Sequence, residues 1–242
     1  FFNEADEILG LPITKMIFEG PADLLNKTEN TQPAIFLASY SIFNVVSRET
    51  SLNLKNAKFF AGHSLGEYSA LACADAISFK QTIKLLKSRG KAMQNALPNG
   101  QGGMLAVLGA EYIKINKILS SNIHNFKCYI ANDNCDGQIV LSGNLKDLNL
   151  LSEELKKNSI KSIKLSVSAP FHCELMRSAT TIMEKELINT QIKKPSNEII
   201  SNVTAKNTNN PNEIKTLLIQ QIEKPVRWRE SVINMIKAKT DK

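Results

Sequence analysis

Lys58-Phe59-Phe60-Ala61-Gly62-His63-Ser64-Leu65-Gly66-Glu67-Tyr68-Ser69-Ala70-Leu71 reads as a short apolar run, a glycine-flanked turn and the start of a helix. The run over 58–61 predicts a buried strand, and the pattern over 67–76 predicts a helix. Between them, Gly62-His63-Ser64-Leu65-Gly66 fits G-x-S-x-G in the strand–turn–helix setting that a nucleophile elbow needs. So tight a turn favours glycine at its flanks and pushes Ser64 to the tip. The Leu65 N–H faces the same space, at a helix N-terminus where negative charge is favoured. Ser64 is therefore a candidate nucleophile and Leu65 a candidate oxyanion donor. His63 adjoins the serine, but an elbow sends neighbouring side chains in different directions, so a packing or supporting role is expected of it.

A serine hydroxyl is a weak nucleophile at neutral pH and needs a base within hydrogen-bond reach. The chain has three histidines, which leaves His124 and His172. His124 lies in the polar stretch Ser121-Asn122-Ile123-His124-Asn125 and reads as a solvated surface residue. His172 follows Ala169-Pro170-Phe171, at the exit of a strand and the start of a helix. That is where α/β proteins place reactive groups, so His172 is the candidate base.

Moving outward, 31–48 reads as a helix with Pro33 near its first turn and apolar residues at Ile35, Ala38, Ile42 and Val45. A second helix is expected over 78–97, opened by a capping box of Ser78 and Gln81 and ended by Pro98-Asn99-Gly100. Its apolar stripe runs through Thr82, Leu85, Leu86, Met93 and Leu97, and Arg89 lies on that stripe. The exposed positions carry Lys84, Lys87 and Lys91 instead. An inward arginine needs a partner. It can snorkel to the surface, meet a structural carboxylate, or grip a substrate carboxylate with two parallel hydrogen bonds.

The middle changes character. Strands are expected over 104–108, 127–131, 138–142 and 161–168, with helices over 110–121 and 145–157. Asn132-Asp133-Asn134-Cys135-Asp136-Gly137 reads as the turn between the second and third strands, and Ile163, Leu165 and Val167 as one face of the fourth. The order β-α-β-β-α-β is the ferredoxin-like arrangement. Being small and contiguous, 101–168 is expected as an insertion in a body made of 1–100 and 169–242. A helix through 188, a strand over 198–202 and helices over 213–222 and 230–238 complete that body. Strands alternating with helices argue for a parallel sheet covered on both faces. The expected class is α/β, a parallel-sheet hydrolase-like body with a ferredoxin-like inserted subdomain.

Composition narrows the function. With 242 residues, 43% of them hydrophobic and 22% charged, the chain can bury a substantial core. No apolar run is long enough to span a bilayer, and the first residues lack a signal-peptide pattern. The four cysteines, Cys73, Cys128, Cys135 and Cys173, form no C-x-x-C pair. A disulfide framework or zinc site is not expected, and reduced thiols in a reducing compartment are. The net charge of +7 fits a solvated basic surface, or steering toward an acidic partner or anionic substrate. No nucleic-acid recognition motif accompanies it.

Taken together, Glu19-Gly20-Pro21, Thr28-Glu29-Asn30-Thr31-Gln32-Pro33-Ala34, the elbow segment 62–71, Arg89-Gly90-Lys91-Ala92-Met93-Gln94, Ser168-Ala169-Pro170-Phe171-His172-Cys173 and Pro225-Val226-Arg227-Trp228 resemble the malonyl-CoA:acyl-carrier-protein transacylase family of bacterial-type fatty-acid synthesis. The segments run in family order across nearly all of the chain. The resemblance implies that Ser64 is acylated, that His172 is its base and later the acid for the leaving thiol, and that Arg89 grips the free carboxylate of malonate. It implies that the Gln221 side chain orients the histidine, where a triad would place a carboxylate. It also implies malonyl-CoA and acyl carrier protein as partners, neither nucleic acid nor membrane, no cofactor or metal, a monomer, and a cytoplasmic location. The family opens with a strand and a Gly-Gln-Gly-Ser-Gln loop and closes past the helix ending near Lys239, through a Gly-Pro-Gly turn. Both lie outside this sequence, so a fragment is expected. The alternatives are a serine esterase of the α/β-hydrolase type, for which Asp133, Asp136 and Asp147 lie between Ser64 and His172 but within the expected insertion, or a truncated non-catalytic chain that binds acyl carrier protein.

Overall fold

The computed structural model describes residues 1–98, 100–167 and 169–238. Asn99, read above as part of a helix stop, Ser168, read as the end of a strand, and Lys239 lie outside the described residues. Among the described residues the chain is a mixed α/β protein with two sheets.

Four helices come first: α1 (Phe2–Leu9), α2 (Ile13–Glu19), α3 (Ala22–Leu25) and α4 (Thr28–Glu49). The first three are too short for a periodic pattern to reveal them. In α4, Pro33 lies inside the helix rather than in its first turn, because the helix begins at Thr28. Thr31 Oγ1 donates to the Leu25 carbonyl and Asn30 Nδ2 to the Leu24 carbonyl, which ties that added turn to α3. The face that sequence suggested for burial points outward: Ile35, Ile42 and Val45 are 47%, 63% and 58% exposed. The helix is apolar on two sides. The side carrying Phe36 and Tyr40 is covered because it packs against Phe79 at the start of α6 (Phe79–Gln94).

β1 (Phe59–Phe60) leads through the elbow into α5 (Leu65–Cys73). It pairs in parallel with β6 (Glu198–Ile200), and β6 pairs antiparallel with β7 (Asn207–Thr208). The body sheet is therefore mixed, not wholly parallel. After β6 the chain reverses in a turn closed by the Ser201 N–H on the Lys206 carbonyl at 3.0 Å, with Ala205 at φ 56°.

The second sheet contains β2 (Gly102–Leu108), β3 (Cys128–Cys135), β4 (Gln138–Asn144) and β5 (Lys161–Lys164), antiparallel in the order β3-β4-β2-β5. Helices α7 (Tyr112–Ser121) and α8 (Leu145–Lys157) connect the strands. Leu148, Leu151 and Leu155 of α8 join Leu105, Val107, Ile139 and Leu141 in one core, separate from the body's core around Leu71, Leu86, Met183 and Leu218. Two expectations here need correction. Asn132 to Cys135 are strand, with two bulges, because Val226 bridges Asn132 in parallel and Arg229 pairs with Asp133. β5 ends at Lys164 and Ile163 is 46% exposed, while Leu165 and Val167 pack on Met104, Ala131 and Val140.

Helices α9 (Arg177–Ile188), α10 (Pro211–Gln221) and α11 (Trp228–Lys237) are the last helices among the described residues. Asn210 caps α10 by accepting from the Asn212 and Glu213 N–H groups. The far end of α10 stops at Gln221, beside the elbow.

Candidate active site

Ser64 sits at φ 54°, ψ −111°, a backbone region that a residue with a side chain adopts only when its surroundings force it. Asn202 supplies that force. Its Nδ2 donates to the Gly62 carbonyl at 2.9 Å and its Oδ1 accepts the Ser64 N–H at 2.6 Å. A Cβ at position 62 would collide with the backbone of Gly66, so glycine is required there. At Gly66 the corresponding space is open, and the expectation of glycine at both flanks holds for the first flank only. Among the described residues no acceptor takes the Leu65 N–H, whereas the Ser64 N–H is already used by Asn202.

His172 Nε2 lies 2.9 Å from Ser64 Oγ. The other ring nitrogen, Nδ1, is 2.8 Å from the Gln221 main-chain oxygen. A carbonyl can only accept, so Nδ1 carries the proton and Nε2 is free to accept from the serine hydroxyl. The imidazole is 3% exposed. Burial, reinforced by the positive charge of Arg89, pushes its pKa down to about 3, so it is neutral at neutral pH.

The Gln221 contact corrects the sequence-based expectation. The group beside the histidine is the backbone carbonyl, not the side chain. The last carbonyls of a helix have no intrahelical donor, and the end of α10 presents one of these to His172. The Gln221 side chain is engaged elsewhere. Its Nε2 donates to the Ser64 carbonyl at 3.1 Å and to Glu67 Oε2 at 2.7 Å, and its Oε1 accepts from Arg89 Nη2 at 2.9 Å.

Arg89 is 1% exposed, which rules out snorkelling. Its Nη1 donates to Gln32 Oε1 at 2.7 Å and its Nη2 to Ser64 Oγ at 3.0 Å. Among the described residues no carboxylate lies within ion-pair distance of it, and its buried Nε has no partner. The Tyr68 ring lies 5.6 Å from the guanidinium carbon. Gly90 lets α6 approach α4 closely enough for Gln32 to reach Arg89. A Cβ there would fall 2.5 Å from the Thr28 carbonyl oxygen and 2.7 Å from Glu29 Cα.

The remaining sequence candidates lie away from this cluster. His124 is exposed. Asp133 is held by Arg229, Asp136 is a surface residue 3.6 Å from the same arginine, and Asp147 accepts from the Lys127 N–H. His172 takes a carbonyl where an esterase triad would place one of these acids. His63 Nε2 lies 2.9 Å from Asn134 Oδ1, and its ring packs edge-on against Trp228, so it pins the elbow to β3. Sequence reasoning missed Asn202 and Glu67. Glu67 carried a readable signal, a charged residue among the inward positions of an apolar helix. Asn202 carried none.

Residues 3–241 match the family model described as the acyl transferase domain. The chain is 40% identical over 237 residues to the malonyl CoA-acyl carrier protein transacylase of Bacillus subtilis strain 168, covering 97% of this chain and 74% of that protein. Against the protein of the same name from Escherichia coli K12 it is 35% identical over 232 residues, 96% and 74% of the two chains. Among solved structures, the acyl-carrier-protein-S-malonyltransferase of Bartonella henselae matches with a TM-score of 0.93 at 40% identity, over 98% of this chain and 76% of the other. A malonyl-transacylase solved in complex with its type II PKS acyl-carrier protein matches with a TM-score of 0.92 at 34% identity, again over 98% and 76%.

Proposed function

The chain belongs to the acyl transferase domain family, and we propose that it moves a malonyl group from coenzyme A to the phosphopantetheine thiol of acyl carrier protein, in fatty-acid biosynthesis, through an ester on Ser64. The observation that carries the site assignment is the placement of one hydroxyl. Ser64 Oγ lies 2.9 Å from His172 Nε2 and 3.0 Å from Arg89 Nη2.

In the first half-reaction His172 Nε2 takes the Oγ proton as Oγ attacks the thioester carbonyl carbon. The Leu65 N–H donates to the resulting oxyanion. The carbon–sulfur bond then breaks, the imidazolium protonates the departing thiolate, and malonyl-Ser64 remains. An imidazole with so low a pKa gives up that proton readily. In the second half-reaction the carrier-protein thiol loses its proton to His172, its sulfur attacks the ester carbon, and Ser64 leaves with the proton returned. General acid–base help of this kind contributes about 10²–10⁴-fold. Arg89 holds the free carboxylate of the malonyl group. Its Nη2, 3.0 Å from Ser64 Oγ, is the donor that lies beside the acylated oxygen.

The fold reading belongs to the same proposal. Residues 101–168 form a ferredoxin-like insertion, supported by the antiparallel order β3-β4-β2-β5 and by their own core. Residues 1–100 and 169–242 form a hydrolase-like body, supported by the β1–elbow–α5 unit. Four free cysteines fit the reducing cytoplasm.

Mass spectrometry after mixing with malonyl-CoA tests the reading. A malonyl adduct on Ser64, absent in Ser64→Ala and discharged by a thiol acceptor, is the expected result. Discharge to water alone would identify an esterase, and no adduct on folded protein would leave only a binding role.

A further inference from the structure

Glu67 lies in the first turn of α5, three residues beyond the nucleophile and 2% exposed. No step above uses it. Its Oε2 accepts two hydrogen bonds, from Gln221 Nε2 at 2.7 Å and from the Asn202 N–H at 3.1 Å. Those two partners set the reacting atoms. Asn202 grips both sides of the elbow, at the Gly62 carbonyl and the Ser64 N–H. Gln221 holds His172 through its carbonyl, the Ser64 carbonyl through its amide nitrogen, and Arg89 through its amide oxygen.

We propose that Glu67 is a positioning residue for the acyl transfer: a single carboxylate oxygen, shared by Gln221 and Asn202, fixes Ser64, His172 and Arg89 in one arrangement. The inference rests on the reading of Ser64 as the acylated nucleophile. What Glu67 supplies is an acceptor at a fixed point. Burial raises its pKa to about 7, so near neutrality it is not held firmly as an anion. Because both hydrogen bonds reach the same oxygen, a glutamine amide oxygen can stand in that place. Alanine leaves the Asn202 N–H without its acceptor and removes the shortest contact of Gln221 Nε2, which is left with the Ser64 carbonyl at 3.1 Å and Asn202 Oδ1 at 3.3 Å to hold it. A displacement of about 1 Å at a reacting group costs roughly 10²-fold in rate.

The test measures malonyl transfer to acyl carrier protein per folded molecule, with folding scored by near-ultraviolet circular dichroism. Glu67→Ala is expected to lose roughly 10²-fold in kcat with KM for malonyl-CoA changed less than about threefold. Glu67→Gln is expected to stay within about fivefold of the parent, since it keeps the acceptor. Glu67→Met, similar in volume but without an acceptor, replaces the alanine variant if that fails to fold, and the same loss is expected of it. Parent-like kcat in folded Glu67→Ala or Glu67→Met, or an equal loss in Glu67→Gln, overturns the role of Glu67. Transfer that persists in Ser64→Ala overturns the nucleophile assignment instead.

Discussion

Replacing Arg89 by alanine is expected to cost malonyl transfer selectively and leave acetyl transfer comparatively intact. A grip of two charge-assisted hydrogen bonds, each worth about 1.5–3 kcal/mol, would suggest a very large effect. The geometry lowers that figure. In the free protein Nη1 already donates to Gln32 at 2.7 Å, and Nη2 donates to Gln221 at 2.9 Å and to Ser64 at 3.0 Å. A malonyl carboxylate that takes over either of these gains only the difference between two acceptors. The gain comes from replacing neutral acceptors by a charged one. The net contribution is then about one charged hydrogen bond, roughly 1.5–3 kcal/mol, or about ten- to hundredfold in selectivity. The assay is the ratio of kcat/KM for malonyl-CoA to that for acetyl-CoA, measured per folded molecule in the parent, Arg89→Ala and Arg89→Lys. Lysine keeps the charge but lacks the planar fork and is expected to recover only part of the ratio. If both acyl groups lose rate by the same factor, Arg89 acts on the serine rather than on the carboxylate, and the reasoning fails.

The acid limb of kcat/KM reports the free enzyme's base, and His172 sits at about 3, so the rate of Ser64 acylation is expected to be level from about pH 5 to about 8; a limb centred on the ordinary histidine value would refute this. Stability carries two opposed dependences. Glu67 holds a proton between 4.5 and about 7 that the unfolded chain has released, so its contribution falls as pH rises through that window. His172 lacks, between about 3 and 6.5, a proton that the unfolded chain carries, so its contribution rises with pH. Urea unfolding at several pH values is therefore expected to show Glu67→Gln gaining on the parent as pH rises, and His172→Gln losing, each by at most roughly 1.4 kcal/mol per pH unit. Differences of the opposite sign would rule the assignment out. Gly62→Ala is expected to abolish acylation of Ser64, since the added methyl meets the Gly66 backbone. Gly66→Ala, which meets nothing, is expected to keep it, and equal behaviour of the two by adduct mass spectrometry would contradict the elbow geometry.

What the sequence revealed of this site depended on whether a signal was local. Ser64 is marked by its own five residues. Arg89 is marked because helical periodicity places a charge where burial is expected, and the structure finds it 1% exposed. The same test applied to α5 would have marked Glu67, whose neighbours Tyr68, Ala70, Leu71 and Ala72 are all buried. Gln221 illustrates the opposite case. The atom that meets His172 is a main-chain oxygen, which any residue offers, and its availability is decided by where α10 ends. Asn202 depends on the parallel pairing of β1 with β6, a contact between segments far apart in the chain. The fold divides in the same way. The strands Gly102–Leu108, Cys128–Cys135 and Gln138–Asn144 and the helices between and after them were legible as elements because they are seven residues or longer and carry a readable pattern, whereas their order β3-β4-β2-β5 joins β2 to strands that are not its sequence neighbours. In the other sheet β1 and β6 were read as strands and pair in parallel, but the two-residue β7, which makes that sheet mixed, is too short to carry a periodicity. In α4, apolar residues occupy two faces, and only the position of α6 decides which is buried. The site therefore combines two kinds of information: reacting groups specified one residue at a time, and a supporting network of Asn202, Gln221 and Glu67 that exists only once distant segments have met. That is why perturbing Glu67, which touches no reacting side chain itself, is expected to act on the rate through Gln221 and Asn202.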